Sequence, residues 1–338
     1  MAAAPDRQRL PDAPPVAGRD LPVGGQAVIE GVMMRGVCSW AVAVRAPAPE
    51  QIAGGRRMQL GEATRGEVQI RRMPLDSVLK RHRWMRVPVV RGVIALGESL
   101  RIGFLALNIS VNTHTPDDEA PVSGGKWFGT VAFALALAVG LFFLLPVALT
   151  SLVKDSLPNS LVFVLVEKVL RISIFLAYIW AVSRMKDLRR VFEYHGAEHK
   201  TIHCYEAGLE LTPENAQRFS RLHPRCGTSF MLIVMVVAIV VFAPLGTPAW
   251  YWLFASRIVG IPLIAGLAFE IIKWFGRNRS KRWARVLMAP GMKLQLLTTR
   301  EPDLAQLAVA VAALEAVLEI DAPAVVTEGE RIGMEVVA

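Results

Sequence analysis

Between Arg190 and Glu206 the chain reads Arg190-Val-Phe-Glu193-Tyr194-His195-Gly-Ala-Glu198-His199-Lys200-Thr-Ile-His203-Cys204-Tyr205-Glu206. Wound into a helix at about 100° per residue, this stretch lays His195, Glu198, His199, His203 and Glu206 on one broad face. Two histidines at i and i+4 can grip one divalent metal ion from adjacent turns. Neutral imidazole suits zinc, iron or nickel, and a carboxylate between the pair can polarise a water. His195-Gly-Ala-Glu198-His199 matches the H-x-x-E-H pattern of inverzincins letter for letter. Three fixed letters in five do not make a protease, and Gly196 is a poor helix former. Downstream, His223-Pro-Arg225-Cys226-Gly227 gives His223 and Cys226 ligand-like spacing, and four of the six histidines fall between His195 and His223.

The expected site is therefore a divalent metal, zinc as the first guess, on His195, His199, His223 and Cys226, with Glu198 as general base or further ligand. His203 and Glu206 are possible additional ligands. Glu30 is a second candidate carboxylate, since its motif has no evident packing pattern. Arg225, with Arg35 from the N-terminal region, could hold an anionic substrate such as a lipid headgroup, because guanidinium suits phosphate. The structural alternative is a hydrogen-bond network in which the same side chains anchor an interfacial loop. Cys204 reads as packing, and His82 and His114 as surface histidines.

These residues sit between long apolar runs. Apolar residues make up 53% of 338, and mean hydropathy is +0.39, which points to a bilayer protein. Spans are expected near residues 127–153, 168–184, 229–245 and 250–273, with the histidine loop at 185–227. The stretch 88–111 is apolar but interrupted by Arg91, Glu98 and Arg101, which suggests an interfacial or partly buried helix. Residues 23–87 read as a small β-rich cap, with Trp40-Ala-Val-Ala-Val-Arg45 and Glu67-Val-Gln-Ile-Arg71 as strands. Residues 1–22 read as a disordered tail lacking a signal-peptide core, and 276–338 as a tail with an amphipathic helix at 302–319. The fold class expected is a mainly α membrane protein of about four transmembrane helices with a β-rich cytoplasmic cap.

The formal charge of +9 raises nucleic-acid binding. Lys and Arg cluster instead at the ends of apolar runs, and the aromatics do not interleave with them as a stacking platform requires. No nucleic-acid partner is expected. The basic loop 184–225 and the stretch after Lys273 are expected to place both termini and the histidines in the cytoplasm. Three scattered cysteines make no disulfide framework, and in that compartment they stay reduced.

At these residues the chain resembles the YqhQ-like family, bacterial membrane proteins built on a domain of unknown function. The matching pieces are Gly24-Gly-Gln-Ala-Val-Ile-Glu-Gly-Val-Met-Met-Arg-Gly36, Arg91-Gly-Val, Glu98-Ser-Leu, Arg190 to Thr201, His223-Pro-Arg-Cys-Gly-Thr-Ser-Phe230 and Leu297-Thr-Thr-Arg-Glu-Pro302. The resemblance implies a polytopic membrane protein described as a predicted metal-dependent enzyme, with no reaction assigned. A metal-dependent membrane enzyme, hydrolytic in type, leads. A non-catalytic scaffold or assembly factor is the alternative, and a transporter the third reading, disfavoured because the first and third spans lack polar midplane residues.

Overall fold

The computed structural model describes residues 22–52, 64–115, 124–224, 226–242, 244, 250–278 and 281–321. Residues 1–21 of the expected tail, the turn at 53–55 and residues after 321 lie outside the described residues, as does Arg225.

Four antiparallel strands run in sequential order: β1 (Gly24–Val28), β2 (Gly31–Arg35), β3 (Ser39–Arg45) and β4 (Val68–Pro74). β1 and β2 pair Val28 with Gly31, leaving Ile29 and Glu30 as a two-residue turn. Glu30 takes φ 50°, the left-handed conformation such a turn demands. The residues of β2, and all of β3 but Arg45, are buried, which explains their continuous apolar reading: both faces are covered. One face, carrying Val28, Met33, Trp40, Val42 and Val44, packs on Ile102 and Ala106 of α1 (Val90–Thr113). The other, carrying Val32, Met34, Ala41 and Ala43, packs on the site helix and the last helix.

After α1 come α2 (Gly124–Val139), which continues through a π-helical turn at Gly140–Leu144 into α3 (Leu145–Leu152), then α4 (Ser160–Ser183). The site helix is α5 (Lys186–Glu206), followed by the short α6 (Pro213–Gln217). Two apolar helices, α7 (Gly227–Phe242) and α8 (Trp250–Arg277), precede α9 (Arg282–Thr298) and α10 (Leu304–Asp321).

Among the described residues, three helical stretches are long and apolar enough to cross a membrane: Val90–Thr113, Phe128–Leu152 and Ile258–Phe275. This set differs from the four stretches expected. The stretch at 88–111 meets the criterion despite Arg91, Glu98 and Arg101. α4 carries Glu167, Lys168 and Arg171, which pair among themselves, Lys168 Nζ lying 2.5 Å from Glu167 Oε2 and Arg171 bonding Oε1. α7 is shorter, at 16 residues. The Phe128–Leu152 stretch exposes its apolar side chains almost throughout, Phe128 at 74% and Phe133 at 71%, a surface that water would oppose.

α10 also departs from expectation. It is an amphipathic helix neither in pattern nor in environment: Leu307, Ala310, Ala313, Leu314 and Val317 are buried together with Val309, Val311 and Ala316. It packs on β2, β3 and α5, so it is apolar nearly all round because it fills the core of the cap. Its last residue, Asp321, accepts hydrogen bonds from the backbone N–H of Val37 and Cys38 and from Ser39 Oγ (2.7 Å).

Candidate metal centre

α5 runs unbroken through Gly196, and the reason is a close approach. A Cβ at Gly196 would collide with the backbone carbonyl of Arg300, whose own N–H donates to Phe192 O at 2.8 Å. The glycine that weakens the helix lets the segment after α9 lie against it. Gly208, at φ 73°, follows the helix end, and Thr212 accepts from Asn215 N at 3.2 Å to cap α6.

The segment at 298–300 and the turn at 221–223 supply carbonyls that orient the histidines. His195 Nδ1 lies 2.8 Å from Thr298 O, and His199 Nδ1 lies 2.6 Å from Arg221 O. A carbonyl only accepts, so each Nδ1 carries the proton and each Nε2 faces the other way. His195 Nε2 is 3.3 Å from Cys226 Sγ, and the donor atoms of His195, His199 and Cys226 all lie within 4.8 Å of one another. His199 Nε2 is buried, with no hydrogen-bond partner of ordinary length among the described residues. Burial pushes the Cys226 thiol up, but His199 and His195 beside it hold it well below its usual value. Burial opposes charge on His195, yet Cys226 raises it to about 9.

One turn further, His203 Nε2 lies 2.9 Å from Leu222 O. His203, Glu206 and His223 offer donor atoms within the same 4.8 Å limit of one another. The imidazoles form a row, with ring centroids 4.5 Å apart for His195 and His199, 5.7 Å for His199 and His223, and 4.6 Å for His203 and His223.

Glu198 is 1% exposed, and its Oε1 has no hydrogen-bond partner among the described residues. Burial pushes this carboxyl up to about 7, with His195 and His223 opposing and Cys226 adding to the rise. β1 lies against it: a Cβ at Gly25 would stand 2.9 Å from Glu198 Cγ. The cap therefore forms one wall of the cluster.

Of the sequence-derived candidates, the structure brings His195, Glu198, His199, His203, Glu206, His223 and Cys226 together. It groups His223 with His203 and Glu206, not with the first pair. Glu30 is elsewhere: Arg190 clamps it from two nitrogens, Thr64 Oγ1 donates at 2.7 Å, and Tyr194 Oη lies 3.4 Å away. Arg35 is likewise drawn off, its Nη1 donating to Ser99 Oγ at 2.6 Å and its Nη2 to Glu98 at 3.2 Å, at 3% exposure. It faces α1, because odd positions of β2 point away from α5. Residues that sequence reasoning missed are Gln295 and Arg221. Gln295, fully buried, accepts from His223 N at 2.8 Å and donates to His223 O at 2.8 Å and Ser229 Oγ at 2.9 Å. A lone amide within the apolar helix 282–298 was the signal. Arg221 Nη1 donates to Thr299 O at 2.6 Å, locking the carbonyl turn to the segment after α9.

The donor set fits a metal: two imidazoles, a thiolate and an adjacent carboxylate, with both imidazoles steered by second bonds to carbonyls, as ligating histidines commonly are. Fold and site together define a mainly helical protein with span-length apolar helices and a buried His–Cys–Glu cluster walled by an N-terminal sheet. The chain belongs to the DUF1385 family of proteins of unknown function, whose pattern matches residues 87–320. It is 32% identical over 312 residues to the uncharacterized protein YqhQ of Bacillus subtilis (strain 168), covering 88% of this chain and 93% of that one. No solved structure matches it. The resemblance carried by the sequence motifs is thereby established.

Proposed function

We propose that this chain is a metal-dependent enzyme of the bacterial inner membrane, hydrolytic in type, with its centre at the cytoplasmic face. One observation carries the reading: two histidines whose Nδ1 atoms are committed to carbonyls stand with the buried Cys226, their donor atoms within 4.8 Å of one another, beside a buried carboxyl with an oxygen unpartnered among the described residues. A zinc ion bound there supplies Lewis acidity, polarising a substrate oxygen and acidifying a water. Glu198 takes and returns the proton at Oε1, and its burial keeps bulk water from competing. His195, His199 and Cys226 bind the ion, and Thr298 O and Arg221 O keep the imidazoles in register.

Four crossings fit this reading, by α2 with α3, α4, α7 and α8. The N-terminal sheet and α10 pack together, so the chain between them crosses an even number of times. α1 is spent on the sheet, with Ile102, Ala106 and Ser110 buried there, and lies along the interface. The basic loops put both termini inside.

The test is elemental analysis of detergent-purified protein beside the His195→Ala/His199→Ala variant. Near-stoichiometric metal lost in a still-folded variant supports the reading, and a Glu198→Gln variant that keeps metal but loses cellular function supports the base. Protein without metal after reconstitution with zinc, iron and manganese leaves the scaffold reading in its place.

A further inference from the structure

The histidine face of α5 carries more donors than one ion takes. Zinc is held by four ligands, or by three where one position stays open. Here five α5 residues and two from the segment 223–226 converge. They divide by distance into two groups of three, His195, His199 and Cys226, and His203, Glu206 and His223. Helix geometry explains the division. His195 and His199 stand one turn apart at i and i+4, and His203 and Glu206 stand on the next turns at i and i+3. Cys226 falls to the first pair and His223 to the second.

The second group is built with the same care as the first. Consecutive carbonyls of one turn orient one histidine in each group, Arg221 O taking His199 and Leu222 O taking His203. Both backbone polar groups of His223 are fixed by the Gln295 amide. His223 Nε2 and Glu206 Oε2 stand 3.7 Å apart, too long for a strong ion pair and short enough for two ligands of one ion. His223 is fully buried and Glu206 partly so, which a solvated surface pair would not be.

We propose that His203, Glu206 and His223 form a second divalent-cation site beside the first, so that the centre holds two ions with Glu198 between them. This rests on the reading of the first group as a metal centre. The two sites differ in hardness. The thiolate makes the first selective for zinc-like ions, while two imidazoles and a carboxylate also suit manganese or iron. A second cation also answers a deficit in the cluster. Arg35 is bound to Glu98 and Ser99, so the charge for an anionic substrate comes from the second ion instead. Two-metal sites suit displacement at phosphoryl or carbonyl centres, because each ion steadies one of the oxygens exchanging charge. The substrate class is accordingly an anionic ester or anhydride presented at the cytoplasmic membrane face.

The experiment loads the full-length, detergent-purified chain with Co(II) and, separately, Zn(II), and reads metal per chain together with the thiolate-to-cobalt charge-transfer band. Only the first site holds a thiolate, so the band reports on that site alone. Two ions are expected in the parent chain. Glu206→Gln and His203→Gln should each lower the count to one and leave the band intact, and the surviving band shows that α5 has kept its structure. Cys226→Ser should remove the band and retain the other ion. One ion with the band, unchanged in Glu206→Gln, overturns the second site and leaves the first standing. One ion without the band, lost in Glu206→Gln, keeps the second site and removes the first. No ion in the parent chain overturns both, and loss of band and both ions together in Glu206→Gln overturns the division into two sites.

Discussion

Two buried carboxylates touch the same helix and are treated in opposite ways. Glu30 meets Arg190, Thr64 and Tyr194, with five donors at its two oxygens. Burial raises its pKa, but Arg190 and Thr64 overcome burial and hold it below the ordinary carboxylate range. Glu198, two turns along from Arg190, has an oxygen without a partner among the described residues and a carboxyl pushed up to about 7. Native proteins satisfy nearly all buried polar atoms, and here Glu198 Oε1 and His199 Nε2, neither with a partner among the described residues, fall in the same cluster of potential ligands. A carboxylate with every partner is a fastener. One without is held for chemistry.

That contrast breaks most visibly at Glu198. Glu198→Gln removes a proton acceptor without leaving a new buried charge, so turnover should fall roughly 10²- to 10⁴-fold while the melting temperature holds or rises. A variant equally active in a complementation assay and in metal content places Glu198 with the fasteners. Arg190→Ala does the reverse, leaving Glu30 buried and unpaired. It should cost about 3–5 kcal/mol of stability, read as an earlier thermal or denaturant transition. Gly196→Ala drives a methyl into the Arg300 carbonyl and should cost about 1–3 kcal/mol, with metal affinity falling too because Thr298 shifts. Gln295→Leu strands both backbone groups of His223 and should cost about 1–3 kcal/mol, detectable as weaker metal retention during dialysis. The smallest effect is on pH dependence. Because Glu30 titrates lower folded than unfolded, its contribution is present above the unfolded value and fades as pH falls through the folded one. The melting-temperature gap between the parent chain and Glu30→Gln should therefore narrow in acid; a gap that widens below pH of about 4.5 contradicts the assignment.

What was legible in the sequence followed local rules. The histidine face of α5 is a period of 3.6, and its end at Gly208 and the Thr212 cap are local backbone chemistry. β3 and β4 read as strands, the first from its apolar run and the second from its alternation. Partners distant in sequence were not legible. Nothing in the Glu30 motif reveals Arg190, 160 residues away, and nothing in the Arg35 motif reveals Ser99. Helix environment misled as well. α10 has the length expected, but a helix enclosed by a sheet and α5 needs no polar face. In α4, Glu167 pairs with both Lys168 and Arg171 within the helix, a local pairing that leaves one net positive charge.

The bond from Asp321 to the turn at Val37 and Cys38 joins residues 284 positions apart, and this bears on how the molecule is made. The sheet leaves the ribosome first, yet the helix that fills one of its faces leaves last. At about 5–20 residues per second, that interval is on the order of half a minute. During it β2 and β3 have an apolar face uncovered. A chain cut short before α10 should stall there as a nascent sheet with its ribs showing, a substrate for chaperones and proteases. Completion of the cap is thus a checkpoint on biogenesis: the wall of the histidine cluster is finished only after every other helix has been made.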